Sequence, residues 1–321
     1  MLPNPAYRHS LMRMNTDTGR WQLGFTMSLT TAVLWGFLPI ALKVALTGMD
    51  VYTITWWRFA VSMLALGAFL AWRGQLPRLP DAGWNAWMVL GIALVMLLAN
   101  YVLYLIALDL TTPSVAQVVI QLAPLLLLLG GVFVFRERFV PRQWLGFIVL
   151  GIGQLLFFNN RLPELARPTE GLGLGVALMI VAAIAWAIYG LAQKRLLTVF
   201  TSRQVLWMLY VGASIALLPT AAPLAVLNLN GLQLSMLAFC CANTVIAYGA
   251  FGEALHYWDV SRVSAVLTTA PLFTMASMWL VDRLGWELLP PEGLNARSIV
   301  GALAVVGGSM TCALAGRAAR P

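Results

Sequence analysis

The sequence predicts an all-α integral membrane protein: ten transmembrane helices arranged as two inverted five-helix repeats. Three observations predict it. Of 321 residues, 60% are hydrophobic and only 10% are charged, whereas a soluble domain carries roughly 25% charged residues. The apolar residues gather into ten runs, each near the ~20 residues that cross a bilayer as a helix. The second half of the chain also repeats features of the first at a nearly constant offset. A soluble chain of this length needs more polar surface to cover a core, so the apolar excess must face lipid.

The elements follow in chain order. Residues 1–20 are polar, carry Arg8, Arg13 and Arg20, and read as a cytoplasmic segment. The apolar run after them has no small-x-small cleavage site and is too long for a signal-peptide core, so it reads as a retained first helix. The ten segments are 22–46, 53–72, 86–108, 114–135, 142–159, 172–194, 204–227, 232–255, 262–281 and 297–316. Turn residues separate them, among them Gly48-Met49-Asp50, Thr111-Thr112-Pro113, Asn228 to Gly231 and Pro290-Pro291-Glu292-Gly293. A membrane β-barrel would instead alternate in ten-residue stretches.

The net charge of +8 fits a membrane protein's loop asymmetry rather than nucleic-acid binding, since no basic stripe interleaves with aromatics outside the segments. With the N-terminus inside, fourteen Lys and Arg fall on the inner side. Five (Lys43, Arg161, Arg167, Arg283 and Arg297) fall on the outer side. Both termini are therefore expected in the cytoplasm. Cys240, Cys241 and Cys312 sit in apolar runs with no metal or disulfide spacing. No cofactor and no metal are expected.

The repeat is the most specific signal. Ala107-Leu108 through Ala123-Pro124-Leu125 matches Ala254-Leu255 through Ala270-Pro271-Leu272 at an offset of 147, which also places Tyr101 on Tyr248. Trp35 and Lys43 match Trp186 and Lys194 at an offset of 151. Gly146 matches Gly301 after an insertion at about 286–295. The expected organisation is a first repeat at 21–160, a periplasmic connection at 161–171, a second repeat at 172–316 and a cytoplasmic tail at 317–321. Five helices per half means that the second half enters the membrane upside down. Inverted repeats of this kind are a transporter design, with the solute near the midplane between the halves.

Four stretches carry a family resemblance: Leu34-Trp35-Gly36, Trp57-Arg58-Phe59, the run from Ala107 through Ser114 to Pro124, and Arg136-Glu137-Arg138 followed by Gln143-Trp144-Leu145-Gly146. Over about residues 22–316 the chain resembles the drug/metabolite transporter superfamily, in particular its EamA-like bacterial members. It departs from them at Leu284, where the family often has an acidic residue; the nearest here is Glu287. The resemblance implies ten helices, a central cavity lined by helices 1–4 and 6–9, and peripheral helices 5 and 10. It also implies export or exchange of amino acids, other metabolites or drugs in the bacterial inner membrane.

Ionisable groups inside spans are costly and functional by default, and here they are Lys43, Arg58, Lys194 and Glu253. Lys43 and Lys194 lie near span ends and can snorkel. Arg58 is expected to pair with Asp50 or Asp109 in preference to touching a solute. Glu253, between apolar neighbours, is the candidate proton carrier, or an inner gate with Lys194 or Arg195. Trp35, Tyr101, Tyr104, Gln117, Gln121, Trp186, Tyr189 and Tyr248 are the cavity candidates, with Asn100, Gln193 and Asn243 behind them. Gln117 and Gln121 share one helix face at i and i+4. Interhelical hydrogen bonding is the alternative use of such groups. Pro124 and Pro271 break backbone hydrogen bonds at matching places and are candidate hinges. Trp56, Trp57, Trp84 and Trp87 read as interface anchors.

The expected function is secondary transport of a small organic solute, by export or exchange, with protons as a coupling partner. An uptake permease is the alternative. A membrane enzyme would need clustered His, Asp or Glu, and the chain has two histidines, His9 and His256. A channel would need a charged ring or filter loop, although a homodimer could supply pore symmetry.

Overall fold

The computed structural model of the protein describes residues 21–77, 83–135, 141–159, 171–258, 260–283 and 295–315. The segments 1–20 and 317–321, nearly all of the 161–171 connection and of the 286–295 insertion, Arg136-Glu137-Arg138, His9, Leu284 and Glu287 lie outside the described residues.

Among the described residues every regular element is helical. In order they are α1 (Trp21–Leu46), α2 (Val51–Trp72), α3 (Trp84–Leu110), α4 (Pro113–Val119), α5 (Leu122–Phe135), α6 (Pro141–Phe157), α7 (Gly171–Leu196), α8 (Ser202–Leu217), a 3-10 helix (Pro223–Asn228), α9 (Gly231–Tyr257), α10 (Val260–Leu267), α11 (Ala270–Arg283) and α12 (Ala296–Ala315). Six stretches of the described residues are long and apolar enough to cross a bilayer: α1, α2, α3, α7, α9 and the Pro113–Gly131 stretch that α4 and α5 share.

Polar residues set the ends of these apolar runs. The Asp50 carboxylate accepts from the backbone N–H groups of Tyr52 and Thr53 and starts α2. Thr201 with Gln204, and Asn230 with Gln233, form reciprocal capping boxes at α8 and α9, each satisfying two otherwise orphaned groups. The seventh apolar run ends sooner than its composition suggests. Its helix stops at Leu217 and resumes as the 3-10 turn from Pro223. Pro219 and Pro223 account for this: each lacks an N–H for the helical ladder, and Ala222, before Pro223, has left helical backbone.

The fourth and ninth runs are each broken in two. Turns at Ile120-Gln121 and Thr268-Thr269 separate α4 from α5 and α10 from α11. Pro124 then lies in the first turn of α5 and Pro271 in the first turn of α11, where a missing N–H costs least.

The helices pack across the two halves. α3 packs on α7 as α1 packs on α9, and α5 meets α7 as α11 meets α1. α2 lies against α8, and α6 against α12. Each half of the chain thus buries its long helices against the other half.

The α6–α12 seam is the tightest contact. A Cβ on Gly153 would stand 2.6 Å from Val305 N and 2.7 Å from Gly301 O. One on Gly308 would stand 2.5 Å from Gly146 O, and one on Gly301 would meet the backbone N of Phe157. Asn159, Asn295 and Ser298 close one end of this seam with side-chain hydrogen bonds of 3.2–3.5 Å between the helices. Gly151 and Gly307, in contrast, face open space.

Candidate solute-binding cavity

The two broken helices and the cross-packed long helices leave a cavity at their centre, with about 600 Å³ of non-atom space counting its mouth. α1 brings Trp35 and Leu38 to its wall, α2 brings Arg58, and α3 brings Asn100, Tyr101 and Tyr104. Gln117 of α4, the Ile120-Gln121 turn and Pro124 of α5 form one side. Trp186 of α7, Tyr248 of α9, Leu267 and Ala270 form the other. The spacing explains why Asn100 and Tyr104 share a wall: positions three or four apart lie on one helical face.

The wall is aromatic. The Trp35 ring centroid lies 5.5 Å from Trp186, 5.1 Å from Tyr248 and 5.7 Å from Phe251. Tyr101 stands 5.4 Å from Tyr248 and 4.5 Å from Phe59. Tilted and edge-on rings at these separations contribute about 0.5–1.5 kcal/mol per pair beyond area burial, so the wall is fixed as a set. Hydrogen bonds hold its backing: Asn100 Nδ2 donates to Ala182 O across α3 and α7 at 3.0 Å, and Asn243 Nδ2 to Leu34 O across α9 and α1 at 2.6 Å. The buried polar atoms without a hydrogen-bond partner among the described residues include the indole Nε1 of Trp35 and Oε1 of Gln121. Both residues belong to the cavity wall.

Arg58 departs from its expected pairing. It is 2% exposed, its Nε donates to Thr244 Oγ1 at 3.0 Å, and its guanidinium lies 4.3 Å above the Tyr101 ring. Asp50 is occupied in capping α2, and Asp109 stands 3.9 Å from Lys43. Both lie at the end of the bundle, whereas Arg58 is seven residues into its helix, about 10 Å along the axis. Thr244 is a partner that sequence reasoning missed. Its signal was present, because Thr244 precedes Tyr248 by four residues on the same face of α9.

Other candidates lie away from the cavity. Tyr189 is fully buried behind the wall, its ring 6.2 Å from Tyr248. Gln193 is buried beneath Gly252 and beside Ser202. Glu253 Oε1 stands 3.6 Å from Arg203 Nε on α8, so the described ion pair uses Arg203 rather than the expected Lys194 or Arg195. Lys194 is partly buried in the last turn of α7. Trp56 and Trp57 are helix-to-helix ties, donating to Ser214 O and Pro223 O, while Trp84 is exposed as an anchor would be. α8 contributes no wall residue and instead backs the wall, Tyr210 donating to Thr244 O at 2.9 Å.

Lys43 turns back across the end of α3, its Nζ donating to Leu108 O at 2.9 Å and to Asp109 O at 2.7 Å. A cation on the last carbonyls of a helix satisfies orphaned acceptors and complements its dipole. Lys43→Met is expected to lower stability by about 1–2 kcal/mol, seen as a lower unfolding temperature in detergent. An unchanged unfolding temperature with lost solute transport would put Lys43 in the solute path instead.

Comparison with known proteins bears on this cavity. The sequence profile of the EamA-like transporter family matches twice, over residues 22–159 and 173–312. A protein of Haemophilus influenzae named as an uncharacterized transporter is 40% identical over 292 residues, covering 91% of this chain and 95% of that one. The Escherichia coli inner membrane transporter YhbE, also named as uncharacterized, is 37% identical over 297 residues and 92% of each chain. An Escherichia coli protein named "Probable amino-acid metabolite efflux pump" is 22% identical over 295 residues, 88% of this chain and 92% of its own. A crystal structure superposes with a TM-score of 0.67 at 20% identity, over 92% of this chain and 98% of the other, which shows a shared fold.

Proposed function

Because the chain belongs to the EamA-like transporter family, we propose that it exports or exchanges a small organic solute through the central cavity by alternating access. The observation that carries this is the cavity itself. It is lined mostly by buried residues, walled by aromatic rings, and holds polar atoms without partners among the described residues. The relative named as an amino-acid metabolite efflux pump favours export over uptake.

In this reading the chain spans the bacterial inner membrane ten times, as two inverted repeats at 21–160 and 172–316, with both termini in the cytoplasm. The double profile match and the paired packing of α3 on α7 and α1 on α9 support the repeat. The breaks at Ile120-Gln121 and Thr268-Thr269 are then the two hinges, each reinforced by the proline that follows. A broken helix inside a membrane is tolerated where its freed backbone lines a cavity, and Gln121, Ala123 and Ala270 do line it.

Glu253 is the proposed proton carrier. It sits five residues beyond Tyr248 on α9, about 7.5 Å along the axis, and its ion pair with Arg203 is partly exposed. The pair holds the end of α9 on α8 until protonation releases it. The test is solute flux in proteoliposomes under an imposed pH gradient, with pools of amino acids, nucleosides and organic cations. Glu253→Gln is expected to reduce gradient-driven flux to the level seen without a gradient. Unchanged flux would discard Glu253 as the coupling site and keep the transporter. Absence of flux from every pool would count against this choice of solutes.

A further inference from the structure

Arg58 is a permanent cation buried at 2% exposure in the cavity wall. Such a charge inside a membrane protein needs a counterion or a wet cavity. The carboxylates among the described residues are Asp50, Asp109, Glu253 and Asp282. The first caps α2, the second pairs with Lys43, the third with Arg203, and Asp282 is exposed near the end of α11. No described carboxylate forms an ion pair with Arg58. Its described partners are the neutral Thr244 hydroxyl and the face of Tyr101. These orient the guanidinium and leave its charge unmatched among the described residues.

We propose that the missing counterion is the solute: the cavity takes a small organic anion, a carboxylate that Arg58 grips with its planar N–H fork. This rests on the cavity being the solute site proposed above and names the class of solute that it accepts. Three further observations agree. The Trp35 Nε1–H is a buried donor without a partner in the same wall, suited to a second oxygen of the same group. The helices α5 and α11, of fourteen residues each, both begin at the cavity, and helix N-termini favour negative charge. The unpartnered Gln121 Oε1 accepts a hydrogen bond, so the solute also carries an N–H or O–H. The aromatic rings around Trp35 receive its apolar body. An organic cation meets Arg58 as a like charge and is refused.

The experiment is calorimetric titration of the full chain in detergent with three probes that share one skeleton: N-acetyl-L-phenylalanine (anion), L-phenylalanine (zwitterion) and L-phenylalaninamide (cation). The two carboxylates are expected to bind at least ~10-fold more tightly than the amide. Arg58→Gln is expected to weaken both by ~10–100-fold, the range of a charged hydrogen-bonded contact, and to remove the preference. Arg58→Lys keeps the charge but loses the fork. It is expected to fall between the two, and it carries the test if the Gln variant does not fold. Equal binding of all three probes, binding of the amide alone, no binding of either carboxylate, or a preference that survives in Arg58→Gln would each overturn the proposal. Flux of neutral or cationic solutes in the reconstituted assay would then leave the transporter reading standing.

Discussion

Gly301→Leu is expected to lower stability by about 3 kcal/mol and to part α6 from α12. A Cβ on Gly301 would meet backbone atoms of Phe157 and Gly153, and backbone cannot swing aside as a side-chain tip can. A leucine adds three more carbons to a space already closed. The seam is held in register by Asn159, Asn295 and Ser298 at one end, so relieving the clash means losing those hydrogen bonds as well. The measurement is thermal unfolding in detergent across the series Gly301→Ala and Gly301→Leu, with Gly151→Ala and Gly307→Ala as controls. The controls face open space and are expected to be neutral, or stabilising by up to ~1 kcal/mol through helix propensity. If Gly301→Leu melted with the parent, the close approach of α6 and α12 would be refuted.

Trp35→Ala is the second large effect. Trp35 touches Trp186, Tyr248 and Phe251 at once, so its removal takes away a contact of α1 with both α7 and α9. The expected loss is about 3 kcal/mol of stability, with solute affinity weakened at least ~10-fold as the apolar wall opens. Trp35→Phe separates the two roles. It keeps a ring among the aromatic neighbours and deletes the Nε1 donor, so stability should largely return while affinity for a hydrogen-bonding solute does not. The readouts are the unfolding temperature and the solute concentration at half-maximal flux. A Trp35→Ala protein with parental values for both would remove Trp35 from the site.

Much of the bundle was legible in the sequence because bilayer crossing is a one-dimensional demand: about 20 apolar residues in a row. Five runs form single long helices, whereas the fourth and the ninth, each read as one helix, are broken in two. The seventh was misjudged because apolar count ignores backbone chemistry. Pro219 and Pro223 end α8 at Leu217 inside a run that remains apolar to Leu227. The cavity was legible where residue type implies chemistry at a fixed spacing, as for Gln117 with Gln121 and for Asn100 with Tyr104.

Partner identity was not legible. Arg58 was matched to the nearest carboxylates along the chain, yet its partners, Thr244 and Tyr101, come from α9 and α3. Glu253 was matched to the basic end of α7, and its described ion pair is with Arg203 of α8. Tyr189 had the right type and depth, but helical rotation turns it behind Tyr248. Such facts depend on how helices rotate against one another, which hydropathy leaves open. The close seam of Gly153, Gly301 and Gly308 depends on the same rotation.

The crossing of long helices between the halves also has a consequence in time. The Thr31 hydroxyl donates to Ala247 O, 216 residues downstream. At roughly 5–20 residues per second of synthesis, that carbonyl is made some ten seconds or more after Thr31. Through this interval α1 sits in the bilayer without α9, and Arg58 has no Thr244 to orient it. The nascent first half is therefore a lipid-solvated intermediate with an unclosed polar face. Assembly of the cavity waits for α9, nearly the last long helix to leave the ribosome.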